Sequence, residues 1–184
     1  MNVSIEYICG NLFECVDKYD LVLSLGVIEH FTSQQMDEFV EKCIELSNKY
    51  ILIAIPNQES EIFKNYVSWS NKNSKEYEEK HNKFNNEDLR NLLKKHNLKI
   101  LVEDGFQLFL SEKNFFEEDT KNNSEIIKLL KNKLMDLNIN LGSKFPNVNF
   151  KAKDIDDLVK VELSFNHEVR MKYSFMSFIL ASKI

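Results

Sequence analysis

The sequence predicts an α/β domain with a largely parallel sheet, and three observations carry that expectation. Short apolar runs alternate with segments whose apolar residues recur at helical spacing. Two of the runs, "YDLVLSLG" and "YILIAIPN", are apolar on both faces, as parallel strands sandwiched by helices are. The order strand–helix–strand–helix–strand then favours one α/β sheet over separate all-α or all-β units.

Taken in order, "VSIEYICG" reads as a first short strand, stopped by Gly10-Asn11. "YDLVLSLG" is the second strand. Thr32 and Gln35 have capping-box spacing and open a helix, in which Met36, Phe39, Val40, Cys43 and Ile44 form one stripe. "YILIAIPN" is the third strand, ended by Pro56, which cannot continue a central ladder. Ile62, Phe63, Tyr66 and Val67 predict a short amphipathic helix with Trp69 just after it, followed by the solvated stretch "NKNSKEYEEKHNK".

"NNEDLRNLLKKHN" is a marked helix. Asn86 is expected to cap it, Glu87 and Asp88 suit its positive start, Lys94 and Lys95 its negative end, and His96 is expected to meet its last carbonyls. "LKILVEDG" is the fourth strand. Beyond it, "SEIIKLLKNKLMDL" is a capped helix from about Ser124, "LGSKFPNVNF" a loop, "KDIDDLVKVELSF" a short helix running into a strand, and "YSFMSFILASK" the last strand.

At 184 residues one domain is expected, long enough to bury about 70% of its unfolded surface. A net charge of −5, with no basic block beyond Lys128, Lys131 and Lys133 on one helix, argues against a nucleic-acid footprint. Cys9, Cys15 and Cys43 form no C-x-x-C and no metal pattern, which predicts buried free thiols in a reducing compartment and no metal. No signal peptide is visible and no apolar run approaches the ~20 residues of a membrane span, so a cytoplasmic location without membrane partners is expected.

"YDLVLSLGVIEHF" sets an acid before an apolar run, a glycine at its end, and then a carboxylate and an imidazole side by side. This stretch resembles the fourth strand of Rossmann-like (class I) S-adenosylmethionine-dependent methyltransferases. "YILIAIPN" is similar to that family's fifth strand, "HNKFNNEDLRNLLKKHNLKILVEDGF" to its next helix and sixth strand, "GNLFE" to the turn after its third strand, and "FILASK" to its last strand. The resemblance covers residues 1 to 105 and about 174 to 184. It departs from the family at the start. The four glycines are Gly10, Gly26, Gly105 and Gly142, so there is no G-x-G, and neither the glycine-rich first turn nor the ribose-binding acid has a counterpart.

The fold so implied is a mostly parallel Rossmann-like methyltransferase sheet lacking its first two strands, with helices on both faces. Residues 1–184 form a single truncated domain, and 106–172 an insertion before the last strand that is a candidate lid or dimer contact. The implied activity is methyl transfer to a small-molecule or sugar-like acceptor, with S-adenosylmethionine as donor in the complete enzyme. The alternative is a non-catalytic methyltransferase-like subunit or interaction module. Partners expected are the small acceptor and either a second copy or a chain supplying the missing strands.

The resemblance also assigns residues. Asn11, Leu12, Ser24, Leu25 and Gly26 would border the donor, His30 would be the base with Glu29 orienting it, and Asn57, Tyr66 and Trp69 would line the acceptor site. Each has a plainer role open to it. Asn11 can be a turn residue, Gly26 can serve a bend, Glu29 and His30 can simply start a helix and pack, and Tyr66 and Trp69 can belong to a core stripe. Without two strands of the family's sheet, strand 20–25 loses a neighbour. Residues 3 to 8 are the favoured replacement; the alternatives are a second copy, or a marginally folded chain that needs its N-terminal half.

Overall fold

The structure is a computed structural model that describes residues 9–74, 83–108, 125–140 and 154–183. Four strands form one sheet: β1 (Tyr19–Leu25), β2 (Ser47–Pro56), β3 (Leu98–Phe106) and β4 (Met176–Lys183), in the order β1-β2-β4-β3. β1 and β2 pair in parallel, and β4 runs antiparallel to both β2 and β3. Three of the four strands therefore share one direction. The expected strand at residues 3 to 8 lies outside the described residues, and so does its pairing with 20–25. Among the described residues β1 is an edge of the sheet.

Alternation decides which way each strand faces. Ile51, Ile53 and Ile55 of β2 and Ile179 and Ala181 of β4 are buried on one face. Two helices cover that face, α1 (Ser33–Leu46) with Met36, Phe39, Val40 and Cys43, and α3 (Asn86–Lys95) with Leu89 and Leu93. Thr32 and Gln35 open α1 through the expected capping box. The two helices are tied where Asp37 accepts hydrogen bonds from Lys95 Nζ at 2.7 and 2.8 Å and meets His96 Nε2 at 2.8 Å. His96 thus turns to a neighbouring helix and leaves the terminal carbonyl of Leu92 to its own backbone N–H.

A second helical group is built from α2 (Glu61–Ser74), α4 (Glu125–Asp136), α5 (Ile155–Leu163) and α6 (His167–Tyr173). Ile62, Leu108, Ile126, Leu130, Val161 and Tyr173 form its core. The described helices between β3 and β4 thus share a core with α2, which Leu108 joins just past the end of β3. The sheet face opposite α1 and α3 is exposed over β1, where Leu21, Leu23 and Leu25 are 47%, 54% and 52% exposed.

Several local expectations change. The cap of α3 is Asn85, with Asp88 completing the box, because Asn86 is buried and accepts a hydrogen bond from Ser177 Oγ on β4. Trp69 falls inside α2, which runs on to Ser74. "KVELSF" does not enter a strand. α5 ends at Leu163 and α6 begins three residues past Ser164, capped by Asn166, whose side chain accepts from Val169 N. Of the thiols only Cys43 is buried, and Cys9 and Cys15 are exposed on the segment leading into β1. The expected cap at Ser124 and the loop 141–150 lie outside the described residues.

Candidate functional site

In open α/β sheets, ligands bind outside the carboxyl ends of parallel strands. Here that end is the mouth formed by β1 and β2. Gly26 leaves β1 with φ of 65° while its N–H still donates to Ala54 O on β2 at 2.9 Å. That backbone conformation costs most residues with a Cβ roughly 1–2 kcal/mol, so the bend itself favours glycine. A Cβ at Gly26 would stand 3.4 Å from Glu29 Oε1 and 3.8 Å from Met176 Cε. The main chain here is close-packed on its inner side by a carboxylate and a methionine.

The turn continues as a short 3-10 helix, Ile28–His30. Ile28 is fully buried and anchors it in the core beneath α1. This geometry separates the two candidate catalytic residues. Glu29 points inward and is 2% exposed, whereas the His30 side chain is 44% exposed. His30 Nε2 and Glu29 Oε1 are 3.9 Å apart, too far for a hydrogen bond. Leu25 is exposed beside the turn, and Ser24 is buried with its Oγ unbonded, facing the helical core and not the mouth.

The other expected residues are placed differently. Asn11 caps the 3-10 helix Leu12–Glu14, its Oδ1 accepting from Phe13 N at 3.1 Å, so the carboxamide oxygen already has a partner. Leu12 packs against the core beneath α1. Asn57 is 1% exposed, its N–H donates to Phe175 O at 2.8 Å and its Nδ2 to Met171 O at 2.7 Å. It therefore joins the end of β2 to the approach to β4. Tyr66 and Trp69 lie together at 5.9 Å between ring centroids, and Tyr66 stands edge-on to Phe175 at 5.1 Å, both packed on the insertion core. The plainer structural roles of these residues are thus occupied in the fold.

A cavity of about 710 Å³ opens between α1 and α3, lined by Phe31, Met36, Asp37, Phe84, Asn91 and Lys95 among others. It begins just past His30, but Gly26 and Glu29 do not line it. Met176 is the contact that sequence reading missed. It sits far along the chain, and only the insertion of β4 beside β2 brings it to Gly26. The chain's two arginines were likewise unremarkable in sequence, yet each holds an acid of β3: Arg90 Nε meets Glu103 at 2.9 Å and Arg170 clasps Asp104.

No family model and no curated protein matches the sequence. Solved structures do. The chain is similar to a SAM dependent methyltransferase from Archaeoglobus fulgidus, at a TM-score of 0.46 and 16% identity over 94% of this chain and 63% of that one. It is similar to magnesium protoporphyrin IX methyltransferase from Synechocystis with bound SAH, at a TM-score of 0.44 and 8% identity over 95% and 49%. A third is a methyltransferase of Bacillus halodurans named as putative, at 0.42 and 15% over 99% and 73%. The chain spans about half to three fifths of the length of the first two.

Proposed function

We propose that this chain forms one wall of an S-adenosylmethionine site and acts in methyl transfer to a small acceptor. The observation that carries the reading is the turn after β1. Glycine is held at φ of 65° at the carboxyl end of a parallel pair, with a buried carboxylate under it and an exposed imidazole beside it. It falls on the residues whose sequence resembles the family.

The residues present fit part of the donor. Gly26 offers bare main chain and Leu25 an exposed apolar side chain at the mouth. Asn11 already uses its side-chain oxygen on Phe13 N. The donor, when bound, supplies an activated methyl carbon, so the protein's task is alignment and proton removal. His30, whose side chain reaches solvent at the mouth, is placed to take a proton from the acceptor. The insertion, packed on α2, bounds the acceptor side.

A non-catalytic module is the second reading, favoured by the buried Asn57 and by Tyr66 and Trp69, half-buried against the second helical core. Titration of the chain with S-adenosylhomocysteine, followed by amide NMR, separates the two. Weak, millimolar binding with shifts confined to residues 24–30 is expected. Shifts elsewhere, or none at saturation, would sink the donor-site reading, and micromolar affinity would show that one wall is not all the chain supplies. In a complete, active enzyme His30→Ala should lower turnover more than donor affinity. An unchanged rate would return His30 to a packing role.

A further inference from the structure

The last strand contributes a residue to the turn after β1. Met176 opens β4, aligned with Pro56 of β2 on one side and Phe106 of β3 on the other. Ser177, Ile179 and Ala181 are buried on the face under α1 and α3, so alternation sets Met176, Phe178 and Leu180 on the opposite face. β4 is not a neighbour of β1. β2 lies between them, which sets the two strands about 10 Å apart. Yet the Met176 methyl stands 3.8 Å from where a Gly26 Cβ would be. Two features allow that reach. Methionine is long and unbranched. Between the two residues β2 presents only Ala54 and Pro56 on that face, since Ile55 turns to the core beneath α1.

Both ends of this contact are fixed. The Gly26 N–H donates to Ala54 O at 2.9 Å, and Glu29 Oε1 stands 3.4 Å from the same Cβ position. Just before Met176, the Phe175 N–H donates to Gln107 O at 3.2 Å, and Phe175 O accepts from Asn57 N at 2.8 Å. The Phe175 ring meets Phe63 and Tyr66 of α2 at 5.6 and 5.1 Å between centroids. The main chain leading into Met176 is thus held by the second helical group, and its side chain is left to adapt. Met176 is half-buried, so it borders the mouth and is not sealed in a core.

We propose that Met176 is a positioning residue of the donor turn. Its methyl supports the Gly26 main chain from the inner side, so a donor lying against the turn is placed by the second helical group as well as by β1. The inference rests on the donor-site reading of that turn and extends it: the helices that bound the acceptor side also fix where the donor lies. Methionine suits the task because its three rotatable bonds let the support follow the turn as a ligand arrives. A shorter side chain would leave Gly26 without contacts on that side.

The test uses the full chain with isotope-labelled methionine methyls, titrated with S-adenosylhomocysteine. The Met176 methyl signal, assigned as the one lost in Met176→Ala, should move with the amides of residues 24–30 and share their midpoint, while amide shifts stay confined to those residues. The methyl of Met135, a residue 77% exposed on α4, should stay where it is. Met176→Ala should weaken binding roughly 5-fold. Met176→Leu, which keeps an apolar side chain of similar size, should recover most of that loss. Amide shifts at 24–30 with a stationary Met176 methyl would overturn the inference and leave the donor-site reading standing. So would a Met176→Ala chain that binds like the parent. Absence of shifts at 24–30 at saturation would sink the donor-site reading and this inference with it. If Met176→Ala fails to fold, Met176→Leu supplies the assignment and the methyl signal of the parent chain decides.

Discussion

Arg170→Ala should destabilise the chain more than most single changes, because Arg170 fastens α6 to β3. Its Nε donates to both Asp104 oxygens at 3.0 Å, its Nη2 to Oδ2 at 2.5 Å and its Nη1 to Phe165 O. Both side chains are 17% exposed. Removing the guanidinium leaves Asp104 with the Gly105 N–H at 2.8 Å and His167 Nδ1 at 3.3 Å. Breaking a fully buried pair costs about 3–5 kcal/mol; this one retains some water, so about 2–3 kcal/mol is expected. For a chain of this size that lowers the melting temperature by about 4–12 °C. Urea unfolding of wild type, Arg170→Ala, Asp104→Asn and the double variant measures the coupling. A loss below about 0.5 kcal/mol for Arg170→Ala, the range of an unremarkable surface change, would refute the reasoning. The pH dependence is a second check. Burial alone would raise the Asp104 carboxyl, but the Arg170 hydrogen bonds, the Gly105 N–H and His167 outweigh it and hold the group below its usual range. A depressed folded-state value contributes stability that is present above the ordinary value near 3.8 and is lost as pH falls through the folded one. Arg170→Ala should therefore differ most from wild type at neutral pH and least in strong acid.

Gly105→Ala should cost about 1–3 kcal/mol or prevent folding, since its Cβ would stand 2.5 Å from Arg170 O and 2.7 Å from Ser174 Oγ; a wild-type melting curve would contradict this packing. Gly26→Ala, by contrast, meets nothing closer than 3.4 Å, so its cost of about 1–2 kcal/mol comes from the φ of 65° alone, and Gly26→Asn should recover part of it in the same denaturation assay. Alkylation with iodoacetamide at pH 8 should label Cys9 and Cys15 and spare Cys43, whose burial pushes its thiol up to about 12; rapid labelling of Cys43 in the folded chain would show the core beneath α1 to be open.

What was legible in the sequence is what local chemistry enforces. The capping pair Thr32–Gln35 and the alternation through Ile51, Ile53 and Ile55 mark their elements without reference to anything distant. The cap of α3 was misplaced by one residue because Asn85 and Asn86 are equivalent locally. Only the Ser177 hydroxyl, brought in by β4, decides that Asn86 turns inward. The second half of "KDIDDLVKVELSF" misled for a similar reason. Its β-branched and aromatic residues suit a strand, but Val161 and Phe165 are taken up by the core of the insertion. At the site, Gly26 and the Glu29–His30 pair stand out in the sequence, while Asn57, Tyr66 and Trp69 leave an acceptor-site role and, for the two rings, a core stripe both open. Their inward positions depend on Met171 and Phe175, which no spacing rule connects to them.

The distribution of ties has a consequence for where the molecule can act. Around β3 the chain is fastened by Arg90, Arg170 and Glu162, the last accepting from Gln107 N and Leu108 N where the backbone leaves the strand with φ of 67°. Among the described residues β1 is held by the β2 ladder, by Val22 packed against the core beneath α1, and by the solvent-exposed Asp20–Lys49 pair, of which the last contributes little. The turn with Gly26, Glu29 and His30 hangs on the end of that strand. Anything that pairs with the β1 edge steadies the turn as well, because extra backbone bonds at Leu25 restrict the residue preceding Gly26. If the turn binds a donor only when it is held still, association through β1 and ligand affinity at the turn must rise together, by the reciprocity of linkage.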